Sequence, residues 1–418
     1  MSLDRSIEIR PVTEPEVAEW WGAKQAGFLV PLQVTEADAV QRAKYFDLSR
    51  TQGAFDPHTG RCVAAFRSFA QRLTVPGGAE VPASAVSAVA VLPTHRRRGL
   101  LSRMMAAELA ASQARGDVLC TLIAAEYPIY GRFGFGPATH AAEWEVDVPR
   151  TGLDPRRPSP AGGGRIDLVD VAEVRRVGPA LHERFRAVTP GAVGRDQRWW
   201  NLATGLEETS DRPYRPSFHA VYRSASGEVE GLAVYRADDQ WTDAKVPSNT
   251  LSVKDLIALT PQAERELWYF LCSVDWVVRV RTGYRPPDDV LPDLLPDPRS
   301  ARMLTSADFL WVRLLDVVRA LEARTYAVPG TLVLEVEDGS GPAGGRYRLD
   351  AGTGGCERTG APADLTLGVD VLGALYLGDA SAARMAALGR ITEHRAGAVE
   401  LADAVFRTGR RPWCPDMF

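Results

Sequence analysis

The run Val89-Ala90-Val91-Leu92-Pro93-Thr94-His95-Arg96-Arg97-Arg98-Gly99-Leu100-Leu101 sets three cations and a glycine between an apolar segment and a helix-forming one. Backbone N–H groups at a helix start have no partner within the helix. The positive end of the helix dipole lies there too, so such a turn binds anions. Gly99 lets the backbone come close to a ligand. Arg96, Arg97 and Arg98 add charge and forked donors that match phosphate oxygens. The chemistry is that of a pyrophosphate cradle running from Arg96 to Ser102. No Gly-Lys-Ser/Thr follows, so this is not a Walker loop, and the three glycines of a dinucleotide fingerprint are missing. An arginine run beside a glycine is ordinarily a solvated turn. The flanks give this one its meaning.

Residues 83–92 carry no charge and read as a buried strand. Beyond the turn, Leu101, Met104, Met105, Glu108, Leu109 and Ser112 recur at helical spacing, with the apolar members on one side. Residues 7–10 read as a short strand. Thr13 with Glu16, and Thr35 with Asp38, carry the capping-box pattern of helix starts. Residues 61–69 read as a strand, followed by a Pro76-Gly77-Gly78 turn. Residues 118–125 form the next strand, and the glycine-studded segment Tyr130 to Gly136 follows it. Trp144, Val146 and Val148 alternate on the last strand of a first unit, 1–149.

Residues 149–164 mix proline, arginine, serine and glycine, and read as a linker. A second unit, 150–297, repeats the mixed pattern. Its strands fall at 166–169, 218–222, 231–235, 251–259 and 276–280, with a helix over 261–271. It lacks an Arg-Arg-Arg-Gly turn, so it reads as a degenerate duplication of the first. A proline-rich stretch, 286–298, precedes a third unit, 298–418. There a helix is expected over 310–324, strands at 331–337, 346–350 and 364–368, and helices at 371–377 and 382–388.

A chain of 418 residues suits two or three domains. With 45% hydrophobic and 24% charged residues the composition is that of a globular protein. The net charge of −4 gives no global case for a nucleic-acid partner. The five cysteines stand far apart without a Cys-x-x-Cys or Cys/His pair, so no metal site is expected. No apolar run reaches the ~18 residues of a membrane span, and Met1 to Arg5 lacks a signal-peptide core. The expectation is a cytoplasmic protein.

Three separated stretches carry a family resemblance: residues 93–101, the run Ile129-Tyr130-Gly131-Arg132-Phe133-Gly134-Phe135-Gly136-Pro137-Ala138, and Asp370-Val371-Leu372-Gly373-Ala374-Leu375-Tyr376-Leu377-Gly378 with a chain end in Phe. Together they resemble the Eis-type (enhanced intracellular survival) acetyltransferases of the GNAT superfamily, over essentially the whole chain. The resemblance implies an α+β subunit: an acetyl-CoA-binding GNAT domain, a GNAT-like domain without the cofactor loop, and a C-terminal domain similar to sterol carrier proteins. It also implies a homohexamer.

The implied activity is transfer of acetyl from acetyl-CoA to an amine: an aminoglycoside, another polyamine or a peptide lysine. The resemblance makes Tyr130 the general acid and the carboxylate of Phe418 the general base. Val89, Ala90 and Val91 offer backbone groups to the pantetheine arm. Arg96, Arg97, Arg98, Gly99, Leu100, Leu101 and Ser102 take the pyrophosphate, and Ala125 and Glu126 line the groove. The chain departs from the family pattern in three places, one of them the helix-loop residues between Trp20 and Phe46, which do not match. Ala88 stands where an aromatic residue precedes the Val89 position, and Met417 stands where Glu precedes the terminal Phe, with Asp416 one earlier. A reading of another class is a non-catalytic protein that carries an apolar ligand in its C-terminal domain.

Overall fold

The computed structural model describes residues 6–31, 35–154, 161–209, 213–339 and 341–418. Of the proline-rich linker, residues 155–160 lie outside the described residues. Three mixed sheets with flanking helices build an α+β chain. The first sheet runs, in spatial order, Glu8–Pro11, Thr51–Phe55, Cys62–Thr74, Glu80–Val91, Leu119–Ile123, Leu310–Leu314 and Gly136–Pro137. The second runs Ala301–Asp308, His140–Asp147, Val277–Arg281, Asn249–Ala258, Val229–Ala237, Phe218–Arg223 and Arg165–Val169. The third has five strands, Gly355–Arg358, Gly345–Asp350, Thr331–Glu337, Leu365–Gly368 and Ile391–Glu393. Each sheet holds a parallel pair.

Two strands cross between the sheets. His140–Asp147, expected to close the first unit, pairs instead with Val277–Arg281 and Ala301–Asp308 in the second sheet. Leu310–Leu314 returns to the first sheet, antiparallel to Leu119–Ile123. The helix expected over 310–324 is therefore corrected: Leu310–Leu314 is a strand, and the helix is Val317–Ala323. All five residues of that strand are buried, so it is covered on both faces and shows no alternation. A short apolar run of that kind does not distinguish a buried strand from a helix. The helix proper begins after Asp316, whose side chain accepts from the Arg319 N–H.

Other elements match the sequence closely. Both capping boxes form, at Thr13/Glu16 and Thr35/Asp38. Helix Pro261–Leu271 and strand Thr331–Glu337 occupy the expected residues. The sequence reading misses helix Val171–Arg186. Its signal was present, in Asp170 as N-cap and in Val174, Val177, Leu181 and Phe185 on one buried face. Gly178-Pro179 in its middle hides it. Trp200 packs where a Cβ at 178 would sit.

The apolar core is continuous from the first unit into the third. Leu73, Ala83, Leu119 and Ala138 share one cluster with Leu334, Leu365, Leu372 and Phe406. Helix Val369–Leu375 lies directly on the strands at Gly136 and Val312, and a Cβ at Gly136 would overlap the Asp370 carbonyl oxygen. Backbone cannot step aside as a side-chain end does. Gly136→Ala is therefore expected to destabilise the chain by about 1–3 kcal/mol, the usual penalty of overpacking. A lowered denaturation midpoint at unchanged slope checks this.

Candidate active site

Strand Glu80–Val91 carries the centre of the site. It pairs in parallel with Leu119–Ile123 only from Ala83/Leu119 to Val86/Leu122, although it runs on to Val91. On its other edge the register slips: Ala65 faces Ala90 but Arg67 faces Ser87. Two residues, Ala88 and Val89, thus oppose Phe66, which is a β-bulge. Ala88 takes a left-handed backbone, φ 53°, a strained choice for a residue with a Cβ. The bulge bends the strand, and the parallel pair splays open beside Val89, Ala90 and Val91. Those residues keep a backbone edge with no ladder to Leu119–Ile123, where an extended arm can add as a strand does.

The strand leads into the arginine turn. Arg97 (φ 64°) and Gly99 (φ 78°) both take left-handed backbone, and the helix runs Leu100–Arg115. Gly99 brings no side-chain cap. The amides from Gly99 to Ser102 point out of the first turn with no acceptor inside the helix. Arg96, Arg97 and Arg98 are exposed around them. The Arg96 guanidinium donates at 3.4 Å to the Val91 and Gly27 carbonyls, and Arg98 at 3.4 Å to the Thr94 carbonyl. Beneath, buried Glu108 ties helix to sheet, accepting from Ser84 at 2.8 Å and Arg115 at 2.6 Å.

The second unit shows what a closed version looks like. Its parallel pair, Asn249–Ala258 and Val277–Arg281, leads into helix Pro261–Leu271. Thr260 caps that helix by accepting from the Ala263 N–H, Pro261 removes an amide, and the Thr260 hydroxyl donates to the Glu230 carboxylate at 3.0 Å. A phosphate there would meet a filled cap and a negative charge.

Ala125 and Glu126 lie exposed just past the strand Leu119–Ile123. Tyr130 ends the short helix Tyr127–Tyr130 and is 7% exposed. Burial, and then the Glu126 charge, push its phenol up to about 12. The loop after it is pinned from the third unit's side. Arg313, fully buried, donates to the Phe133 carbonyl at 2.6 Å and pairs with Asp338 at 2.9 Å.

The C-terminal tail runs past all three units. The Trp413 N–H donates to the Pro190 carbonyl at 2.8 Å, and the Trp413 ring packs edge-on against Phe185. Asp416 is buried and accepts from Arg195 at 2.9 and 3.1 Å, while Arg195 also makes a two-pronged pair with Asp255. Burial pushes the Asp416 carboxyl up, to about 6, against the pull of Arg195. Asp416 is thus a tail anchor and not a free carboxylate beside the terminus, whereas Met417 is 57% exposed. The Phe418 ring meets Phe69 edge-on at 5.7 Å.

Phe69 pairs across to Ala85, and Gln71 on the same face accepts from Thr121 at 2.8 Å. This face of the first sheet is opposite the one that holds Glu108 and the helix. A cavity of about 590 Å³ opens here, lined by Phe69, Gln71, Arg195, Trp199, Met417 and Phe418. A larger one, about 650 Å³, lies on the second sheet between Arg236, Lys254 and Arg281, away from the splayed pair. The structure therefore sets the cradle just beyond the strand that carries the bulge; Tyr130 packs in the helix-side cluster with Leu100, Met104 and Leu122, whereas Phe418 meets Phe69 on the opposite face of the sheet. Sequence reasoning missed Arg67, Phe69, Arg195 and Trp199, and no local motif marks them. It also missed the cluster of Trp20, Trp21 and Phe46 against which Ala88 packs. These aromatics come from a helix and a loop far from residue 88 in sequence.

Known proteins agree with this architecture. Residues 8–138 and 191–314 each match an acetyltransferase (GNAT) domain family, and residues 317–415 match a sterol carrier protein domain family. The chain is 61% identical to an uncharacterized N-acetyltransferase of Streptomyces avermitilis, over 100% of both chains. It is 39% identical to the N-acetyltransferase Eis of Mycobacterium tuberculosis, over 80% of each chain. The crystal structure of Eis1 from Mycobacterium abscessus superposes with a TM-score of 0.84 at 32% identity, covering 99% of this chain and 100% of that one. With two GNAT sheets, a sterol carrier-like third unit and relatives matched along its length, the chain belongs to the Eis-type N-acetyltransferases of the GNAT superfamily.

Proposed function

We propose that the protein transfers acetyl from acetyl-CoA to a primary amine by direct attack. One observation carries this reading: the bulged, splayed strand runs straight into an uncapped helix start ringed by three arginines. The pantetheine arm lies along Val89 to Val91, with the pyrophosphate on the amides of Gly99 to Ser102. A backbone N–H beside the bulge polarises the thioester carbonyl. The amine nitrogen forms a bond to the carbonyl carbon as the carbon–sulfur bond breaks. The carboxylate of Phe418 accepts the amine proton, and the Tyr130 hydroxyl supplies one to the leaving sulfur. Tyr130 carries its proton across neutral pH as any phenol does, and burial moves its titration further from that range. Residues 1–149, 150–297 and 298–418, apart from His140–Asp147 and Ala301–Asp308 in the second sheet and Leu310–Leu314 in the first, serve as the acetyl-CoA domain, its cofactor-free counterpart and the domain that delivers the terminus. Assembly as a homohexamer belongs to the same proposal.

Aminoglycosides are expected to be weaker acceptors than for relatives that carry Glu before the terminal Phe, because Met417 offers no charge and Asp416 is engaged by Arg195. The test is release of CoA from acetyl-CoA with a panel of amines, products identified by mass spectrometry. Arg97→Ala/Arg98→Ala is expected to weaken acetyl-CoA binding by about 1.5–3 kcal/mol for each lost charge-assisted hydrogen bond. Calorimetry showing wild-type affinity in the double variant would remove the cradle from the reading.

A further inference from the structure

We infer that Arg67 selects acceptor amines that also carry an anionic group, a carboxylate or a phosphate. This rests on the acyl-transfer reading above and names the class of acceptor it serves.

Arg67 stands directly opposite Ser87, one residue before the bulge that opens the splay. Its guanidinium lies 4.4 Å from the Phe46 ring centre and 5.3 Å from that of Phe69, whose other contact is the Phe418 ring. It therefore sits on the face that carries the terminal residue, beside the place where the acyl group arrives. Stacking on aromatic faces leaves the N–H donors of a guanidinium unused. Among the described residues no carboxylate lies within ion-pair distance of Arg67. Its Nε is buried with no hydrogen-bond partner. The nearest acids are committed elsewhere: Asp47 accepts from the Ser49 N–H, and Asp196 accepts from the Trp199 N–H. Arg198, also close, adds like charge and is itself held by Glu207 at 2.9 Å. Burial, and then Arg198, pull the Arg67 guanidinium down to about 10, so it still carries its charge at neutral pH.

Arg67 is half-buried, and a cation held out of bulk water with an unpartnered Nε is open to an anionic partner. In the buried arginines of this region the partner is visible: Arg195 has Asp416 and Asp255, and Arg186 has Glu80. Arg67 stands on the face of the sheet where Phe69 meets Phe418, and a substrate anion completes it. The same charge repels a polycation.

The experiment compares amines that differ only in that charge: Nα-acetyl-lysine with Nα-acetyl-lysinamide, and β-alanine with β-alaninamide. The two pairs bracket the distance from amine to anion. The wild type is expected to favour the acid in at least one pair by about 10-fold or more in kcat/KM, the span of one charge-assisted hydrogen bond. Arg67→Gln is expected to bring that ratio close to one, and Arg67→Lys to keep most of it. Acetyl-CoA affinity of both variants reports that the strand is intact. Equal use of acid and amide by the wild type, or a ratio unmoved in Arg67→Gln, overturns the inference and leaves acyl transfer standing. Bound acetyl-CoA with no CoA release on any amine overturns both.

Discussion

Tyr130→Phe is expected to lower kcat by about 10²–10⁴-fold, the usual contribution of a positioned general acid, with little change in the KM for acetyl-CoA. The substitution removes one oxygen from a ring that is 7% exposed and packs near Phe135, so the packing survives. The hydroxyl meets no protein acceptor among the described residues, which leaves its proton available to a substrate atom. Glu126 raises the phenol further after burial has done most of the work. Initial rates on a confirmed acceptor, with calorimetric acetyl-CoA affinity beside them, make the check. Wild-type turnover in the Phe variant removes Tyr130 from the chemistry.

Masking the carboxylate of Phe418, by amidation or by added residues, is expected to reduce turnover by a similar ~10²–10⁴-fold while acetyl-CoA binding persists. The tail is fixed well upstream of its last atom. Trp413 and Cys414 are buried, and Asp416 is clamped by Arg195. A change confined to the carboxylate therefore leaves those anchors in place. Loss of both activity and binding would report misfolding, and full activity in the amidated protein would refute the assignment. Arg195→Ala offers a contrast. It frees the tail and strands Asp416 and Asp255, so it lowers turnover and stability together, whereas amidation lowers turnover alone.

Much of the cofactor half was legible in the sequence, because its chemistry is local. A bulged strand, a basic turn and a helix start lie within one continuous stretch, and three of its features are residue types: arginine for charge, glycine for left-handed backbone, an uncharged strand for burial. The bulge at Ala88 was not legible. It follows from how Ala65 and Arg67 pair with the strand, and pairing register is a property of two segments. The proposed acceptor half was not legible for the same reason. Phe69, Arg195, Trp199 and Phe418 lie on separate units and meet only after the tail has folded back. Asp416 illustrates the difference. By sequence it is the carboxylate nearest the terminus, and only its contact with Arg195 shows that it holds the chain.

The exchange of strands between the first two sheets has a consequence for biosynthesis. Leu119–Ile123 lacks its neighbour on one side until Leu310–Leu314 has been made, and Gly136–Pro137 joins the sheet only through that same strand. While the ribosome works through the intervening residues, the nascent first sheet has an open apolar edge at Leu119–Ile123. Open edges of that kind are templates for mispairing. His140–Asp147 likewise waits for Val277–Arg281 and Ala301–Asp308. Translation must therefore pass residue 308 before the second sheet is complete, and residue 314 before the first is. A gene fragment cut at the end of the first unit would leave that edge exposed for good, so such a fragment is a substrate for chaperones and proteases rather than a small acetyl-CoA-binding protein.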